Sequence, residues 1–345
     1  RHGVRSVEGS LEAELSPGTY SDFIGSILAK NFAAGGATTG ASITIATSGS
    51  FFTLTRAAGS WLTDGFYVGN IIRLTGAGFA PANVGNNLLI VGLTALVATV
   101  VVLSGTTTLV AEGPIASANA AVVGKQSYVP LSGHTDDSYT VEQWFSDIAQ
   151  SEVYTGLKPA SIALSLPSTG LVTASLSFMG KNLEQTGTTQ YFTSPAATNT
   201  EGIFAAVSGA VIVNGQPVGL ITSMDLSISR NQEAANVVGS NFAADIFVGR
   251  ITATGSLSVY FQDAVFRNYF DNEDKISIVV ALTTGEEKDA KAMSFTMGKV
   301  KINSGSKTDA ELGLTQSMDF QALQNDVVAG GLIASTILVQ DTTLI

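Results

Sequence analysis

From residue 140 onward the chain alternates apolar and polar positions with period two, the spacing of a strand with one buried face. The clearest run is residues 251–262. Ile251, Ala253, Leu257, Val259 and Phe261 share one side with Gly255, while Thr252, Thr254, Ser256, Ser258, Tyr260 and Gln262 share the other. Residues 224–229 repeat the pattern, with Met224, Leu226 and Ile228 opposite Asp225, Ser227 and Ser229. Further strands are predicted over residues 140–145, 161–166, 171–178, 276–282, 294–302 and 316–323. Asn214-Gly215, between residues 210–213 and 216–220, is a strong hairpin signal, and Pro167-Ser168-Thr169-Gly170 reads as a turn. Two helices interrupt this. One covers residues 20–29, with Ser21 as N-cap and Phe23, Ile24, Ile27 and Leu28 as its apolar face. The other covers residues 264–272, with Asp263 as cap. Residues 7–15 form an acidic, alternating start.

Residues 36–124 differ in texture. Short β-like runs (42–46, 51–55, 70–74, 88–93 and 97–103) are separated by Gly and Asn. Residues 34–40 and 116–121 are small and polar enough to read as flexible junctions. The expected organisation is mainly β. A β-sandwich or barrel with a short flanking helix is built discontinuously from residues 1–35 and 125–345. A small all-β domain, residues 36–124, is inserted in it. The apolar run 88–103 is 16 residues long. That is short of the ~20 a spanning helix needs, so it predicts a buried hairpin rather than membrane insertion. No secretory signal is expected at the start.

Composition narrows the chemistry. There is no cysteine, and the two histidines, His2 and His134, cannot build a multi-histidine metal site. Charged residues make up 13%, about half the usual ~25%. The net charge of −11 argues against ordinary duplex binding, though not against a path through which DNA slides. Residues 36–124 hold two basic and two acidic groups; residues 125–345 are net −10. Gly124-Lys125-Gln126-Ser127 lacks the upstream glycine of a P-loop, and Pro81 breaks the dinucleotide pattern begun by Gly76-Ala77-Gly78. His134 beside Asp136 and Asp137 reads as loop. Asp271-Asn272-Glu273-Asp274 reads as a solvated turn, because Lys275 and Ile276 replace the glycine a calcium loop needs. Phe51, Phe52, Trp61, Phe66 and Tyr67 have too few basic neighbours for a nucleic-acid platform and read as core. No enzyme, cofactor or metal is expected. What remains is surface design: hydroxyl-rich strand faces suited to close contact with a neighbour or to a smooth wall. Residues 181–202 form a strand-poor candidate contact loop (Lys181, Gln185, Tyr191, Phe192). Residues 326–345 form an apolar arm (Val327, Leu332, Ile337, Leu338) that needs something to lie against.

Residues 220–323 resemble the shared half of the tail tube (major tail) proteins of long-tailed bacteriophages. The resemblance is carried by LSISRN at 226–231, ADIFVG at 244–249 and TATGSLSVYFQD at 252–263. It continues through the helix 264–270 and the strand 275–282, to MSFTMGKVKI at 293–302 and SMDFQAL at 317–323. Residues 139–156 and 171–180 match as well. Residues 42–112, with Gly59-Ser60-Trp61-Leu62-Thr63-Asp64-Gly65-Phe66 and Val68-Gly69, resemble a β-module inserted in some members, similar to that of Chi-like, flagellum-targeting siphophages. The resemblance implies a virion protein, assembled in the host cytoplasm. Its sheets join across six subunits into rings, which stack head to tail around a tape-measure protein, bounded by tail terminator and tip proteins. The tube conducts DNA without binding it specifically. On that reading Asp225, Ser227, Ser229, Thr252, Thr254, Ser256 and Ser258 line the lumen or ring faces, and the insert decorates the outside. Alternatives are a capsid-decoration or fibre-base protein, or a carbohydrate-binding adhesin module.

Overall fold

The computed structural model describes residues 3–105, 108–310, 313–326 and 330–345, without the side chains of Gln185 and Ala310. The chain opens with β1 (Val7–Glu14), α1 (Ser21–Leu28) and β2 (Ala33–Ala34). Then β3 (Ala37–Ser48), β4 (Phe51–Arg56), β5 (Ile71–Thr75), β6 (Asn87–Leu93), β7 (Val97–Ser104) and β8 (Glu112–Val122) close into a barrel in the order β3-β4-β7-β6-β5-β8. After the barrel come β9 (Lys125–Tyr128), β10 (Tyr139–Phe145), β11 (Gln150–Pro167), β12 (Thr173–Gly180), β13 (Asn182–Gly187), β14 (Gly209–Val213) and β15 (Gln216–Pro217). The chain ends with β16 (Ile221–Ser229), β17 (Glu233–Ala235), β18 (Asp245–Phe247), β19 (Thr252–Tyr260), α2 (Val265–Asp271), β20 (Ile276–Thr283), β21 (Ala292–Ala310), β22 (Gly313–Ala322) and β23 (Leu338–Asp341). The fold is mainly β, as the period-two pattern predicts. No helix of the described residues is long and apolar enough to cross a membrane.

Two layers share one long strand. The first runs β1-β12-β11-β16-β19-β22-β21, antiparallel throughout. The second contains β15, β14, β20, β21, β23, β9 and β2. β21 serves both: its second half pairs with β22, its first half with β20 and β23, and the register shifts between Ile302 and Ser304. A bulge of this kind bends a strand and lets it turn a corner. The apolar faces meet inside. Ile162, Leu164, Leu226, Ile228, Leu257 and Phe320 pack against Ile278, Val280, Leu282, Phe295 and Met297, with Ile24, Ile27 and Leu28 of α1 alongside.

β20 is buried on both sides. Ile278, Val280 and Leu282 enter the sandwich core, while Val279 and Ala281, with Ile212 and Ala292, enter the barrel core. The barrel therefore packs on the outer side of the second layer. A polar clasp adds to this contact. The buried Gln340 amide accepts from Ile71 N at 2.8 Å and Asn70 Nδ2 at 3.3 Å, and donates to Ile71 O and Val123 O at 2.8 Å each.

Several expectations are corrected. Residues 116–121 are no junction: they lie in β8, and Ala118 and Ala120 fill the barrel core. Residues 34–40 are not a loose tether either, since a Cβ at Gly36 would meet the backbone of Asp64 and Gly65 at 2.6 Å. In α1 the N-cap is Tyr20, without a side-chain bond; Ser21 sits inside the helix and its hydroxyl donates to Asp341 Oδ2 at 2.5 Å. Asp263 precedes the Ala264 N-cap of α2, and its carboxylate accepts from Val265 N at 3.0 Å. Residues 182–187, expected in a loop, form β13 against β11. The hairpin at Asn214-Gly215 forms as predicted, with φ of 50° and 76° at its two central residues.

Replacing Gln340 with Ala strands the Ile71 N–H and the Val123 carbonyl, whereas Asn70 keeps Gln126 and the Ile71 carbonyl keeps Val123 N. At about 1–3 kcal/mol per group left unsatisfied, with some recovery by relaxation, unfolding free energy should fall by about 2–4 kcal/mol in chemical denaturation.

Candidate assembly surfaces

The polar side of the first layer is one surface, because antiparallel register places each strand's hydroxyls beside its neighbour's. Ser229 pairs with Ser161 on one side and Thr252 on the other. Ser227 pairs with Thr254, and Asp225 lies between Ser165 and Ser256. The row continues from Ser256 to Asp319 and from Ser258 to Ser317. On the far side it reaches Ser175 and, across from it, Glu12 of β1. The seven residues singled out from the sequence (Asp225, Ser227, Ser229, Thr252, Thr254, Ser256, Ser258) thus share a face. Sequence reasoning missed Glu12 and Asp319. Their alternation was legible, but only strand order puts them on the same side.

The centre of the face satisfies itself without cations; toward the β21 margin Lys301, in register with Gln321 and Thr254, is paired with Glu273 at 3.1 Å. Ser165 Oγ and Ser256 Oγ donate to the two oxygens of Asp225 at 2.7 and 3.1 Å, and Ser304 Oγ donates to Asp319 at 2.6 Å. The hydroxyls of Ser161 and Ser177 share a hydrogen bond of 2.7 Å, and those of Ser258 and Ser317 one of 2.6 Å. A trough of about 680 Å³ runs across the strands; Glu12, Asp225 and Asp319 line it, and no Lys or Arg does. The layer has two exposed margins. Among the described residues β1 pairs only with β12, and residues 303–310 of β21 pair only with β22.

The contact-loop residues gather at the end of the layer where β11 and β13 extend. Lys181 Nζ lies 2.8 Å from Asp245 Oδ1. Tyr191 and Phe192 are exposed, their rings packed edge to face with centroids 5.0 Å apart. Their backbone amides donate to Glu142 at 2.6 and 2.9 Å, and Ser151 Oγ donates to it at 2.6 Å. Desolvation pushes the Glu142 carboxyl up, but these three hydrogen bonds outweigh it and hold it below the usual glutamate range. The backbone of Gln185 pairs with Val153; its side chain lies outside the described residues, as does Val327.

The C-terminal residues require a correction. Ile337 and Leu338 are fully buried within their own chain, because β23 fills the gap between β9 and β21. Leu332 packs against the barrel core. The apolar tail does lie against something, but that surface belongs to the same protomer.

Nearby, two cations sit almost wholly out of water. Lys158 Nζ donates to Asp136 Oδ2 at 2.6 Å and to Ile246 O at 3.0 Å. Arg230 donates to Ser26 O at 3.0 Å and Thr135 O at 2.8 Å, with Asp136 3.4 Å away. Burial pulls the Arg230 pKa down, opposed by Asp136 and Asp137. His134 is exposed on this loop. Trp61 and Phe66 are fully buried against each other in the barrel, with ring centroids 5.0 Å apart, so they offer no stacking platform. Among the described residues no group of three His, Asp or Glu is placed to hold a metal ion.

Two outcomes are expected. Asp136→Ala removes the carboxylate shared by Lys158 and Arg230. A fully buried pair would lose about 3–5 kcal/mol; Asp136 is half exposed, so thermal denaturation should show about 1–3 kcal/mol. Glu142 has a lowered folded pKa, so its hold on the loop is complete above the ordinary glutamate range and is lost as pH falls through the lowered value. The hydrogen-exchange protection of the Tyr191 and Phe192 amides, taken relative to their intrinsic rates at each pH, should fall on acidification through the lowered Glu142 value, and at neutral pH in Glu142→Ala.

A search of curated proteins returns no match. The family model described as "Phage tail tube protein" matches residues 1–322, a span that takes in the polar face, both of its margins and the barrel. The chain belongs to the phage tail tube protein family.

Proposed function

We infer that copies of this structural protein associate into hexameric rings that stack into a tube, and that the polar face of the first layer is the wall past which DNA travels to the host. The observation that carries this reading is the acid-and-hydroxyl trough free of Lys and Arg. A trough that presents carboxylates and internally bonded hydroxyls repels phosphate, and the cation at its margin, Lys301, is already paired with Glu273. The two exposed margins of the layer supply the lateral contacts. The layer has seven antiparallel strands, so β1 and the second half of β21 run in the same direction. Copies related by rotation keep that direction, and edge pairing between them is therefore a parallel ladder. The barrel packs on the second layer, away from the polar face, which supports an external position for residues 36–124. A tape-measure protein would fill the lumen during assembly, with tail terminator and tip proteins at its ends.

Electron microscopy of the purified protein should show hollow tubes; discrete closed oligomers would favour a decoration or fibre-base protein instead. Tubes built from the double variant Asp225→Lys, Asp319→Lys should retain linear DNA in a salt-dependent way, whereas wild-type tubes should not. Equal retention by both would remove the conduit role from this face.

A further inference from the structure

The hairpin β17–β18 projects beyond the end of β16 and carries apolar side chains that its own chain leaves in water. Val238 is wholly exposed (107%), Phe247 is 64% exposed, and Val237 and Phe242 are close to half exposed. The hairpin is not loose. Its inner residues Ala243 and Ile246 are buried, Asp245 is held by Lys181 at 2.8 Å, and Ile246 O accepts from the buried Lys158. A rigid element that presents four apolar groups to solvent is preorganised for a partner.

The other end of the same strands carries a complementary feature. A groove of about 450 Å³ opens between the β14–β15 hairpin and α2, lined by Pro217, Val218, Leu220, Tyr260, Val265 and Phe266. Leu220 precedes β16 and Tyr260 closes β19, whereas the hairpin follows Ser229, at the opposite end of β16. Nine residues of strand at ~3.3 Å each separate the two by about 30 Å. The hairpin therefore cannot reach the groove of its own chain. Charge agrees with the pairing. Arg5, whose backbone amide bonds to Asn241 O, and Arg250 flank the hairpin and have no ion-pair partner among the described residues; the Asp263 carboxylate stands at the groove.

We propose that the β17–β18 hairpin of one copy docks into the α2 groove of the next copy along the strand direction, so that this contact joins successive rings. A contact between two different patches at opposite ends of a molecule is heterologous, and repeating it extends a filament. The assignment rests on the tube reading above and names its axial interface.

The absence of native cysteine gives a clean test. A chain carrying both Val238→Cys and Val265→Cys is assembled and treated with a short thiol-to-thiol cross-linker. Denaturing gels should then show a ladder of multiples of the protomer, and each single-cysteine chain should give at most dimers. In parallel, Val238→Glu should reduce tube number at least tenfold while the protomer's melting temperature stays unchanged, since that side chain touches nothing in the folded chain. Wild-type tubes together with no ladder, or full-length tubes from Val238→Glu, would overturn the axial contact and leave the tube reading standing. Wild-type protein that forms only closed oligomers would overturn the tube reading and the axial contact with it.

Discussion

The architecture depends on β20 and the first half of β21 being buried from both sides. A strand with two apolar faces must be covered twice. Here the first layer covers one face and the barrel covers the other. That requirement fixes the order of the molecule: polar face, first layer, core, second layer, barrel. It also explains why the barrel, though closed on itself, is not a tethered ornament. Val279, Ala281 and Ile212 belong to its core as much as its own strands do, and Gln340 ties its backbone to the C-terminal strand. The C-terminal segment takes part in the same cover. β23 and β9 extend the second layer, so residues that look like a free apolar arm are consumed in building the protomer.

The polar face follows a different economy. Strand surfaces exposed to water commonly carry Lys and Glu, which block unwanted edge pairing. This one carries Ser and Thr, short enough to bond across strands and satisfy one another. Its carboxylates accept from hydroxyls rather than from cations. The low overall charge is thus partly local design, a wall with negative sign and few groups to which a polyanion could adhere. Two cations are withdrawn from solvent altogether. Lys158 and Arg230 sit beneath the loop carrying Asp136, where they anchor the root of the β17–β18 hairpin and its surroundings rather than meet solvent.

Much of this was legible in the chain. Period-two alternation located β16, β19 and β22 and separated the faces of the first two, because one face of each strand is buried and the other is not. Asn214-Gly215 specified its turn because both central residues must adopt positive φ. Local reading failed where small residues were involved. The alanines of residues 116–121 look like linker, yet small side chains are what a tight barrel wall accommodates. Ser21 has the chemistry of a cap, but a partner 320 residues away in sequence, Asp341, claims its hydroxyl.

The sequence by itself determined the strand content, the separation of polar from apolar faces, and the exclusion of thiol and multi-histidine chemistry. Those properties depend on residue type and on spacing along a short stretch of chain. Tertiary structure alone decided which faces adjoin: that Glu12, Asp225 and Asp319 share a trough, that the tail is core rather than arm, and that the apolar hairpin and the apolar groove stand at opposite ends of the same strands. Each of these depends on contacts between residues distant in sequence. Periodicity says which way a side chain points from its own strand, but not which strand lies beside it.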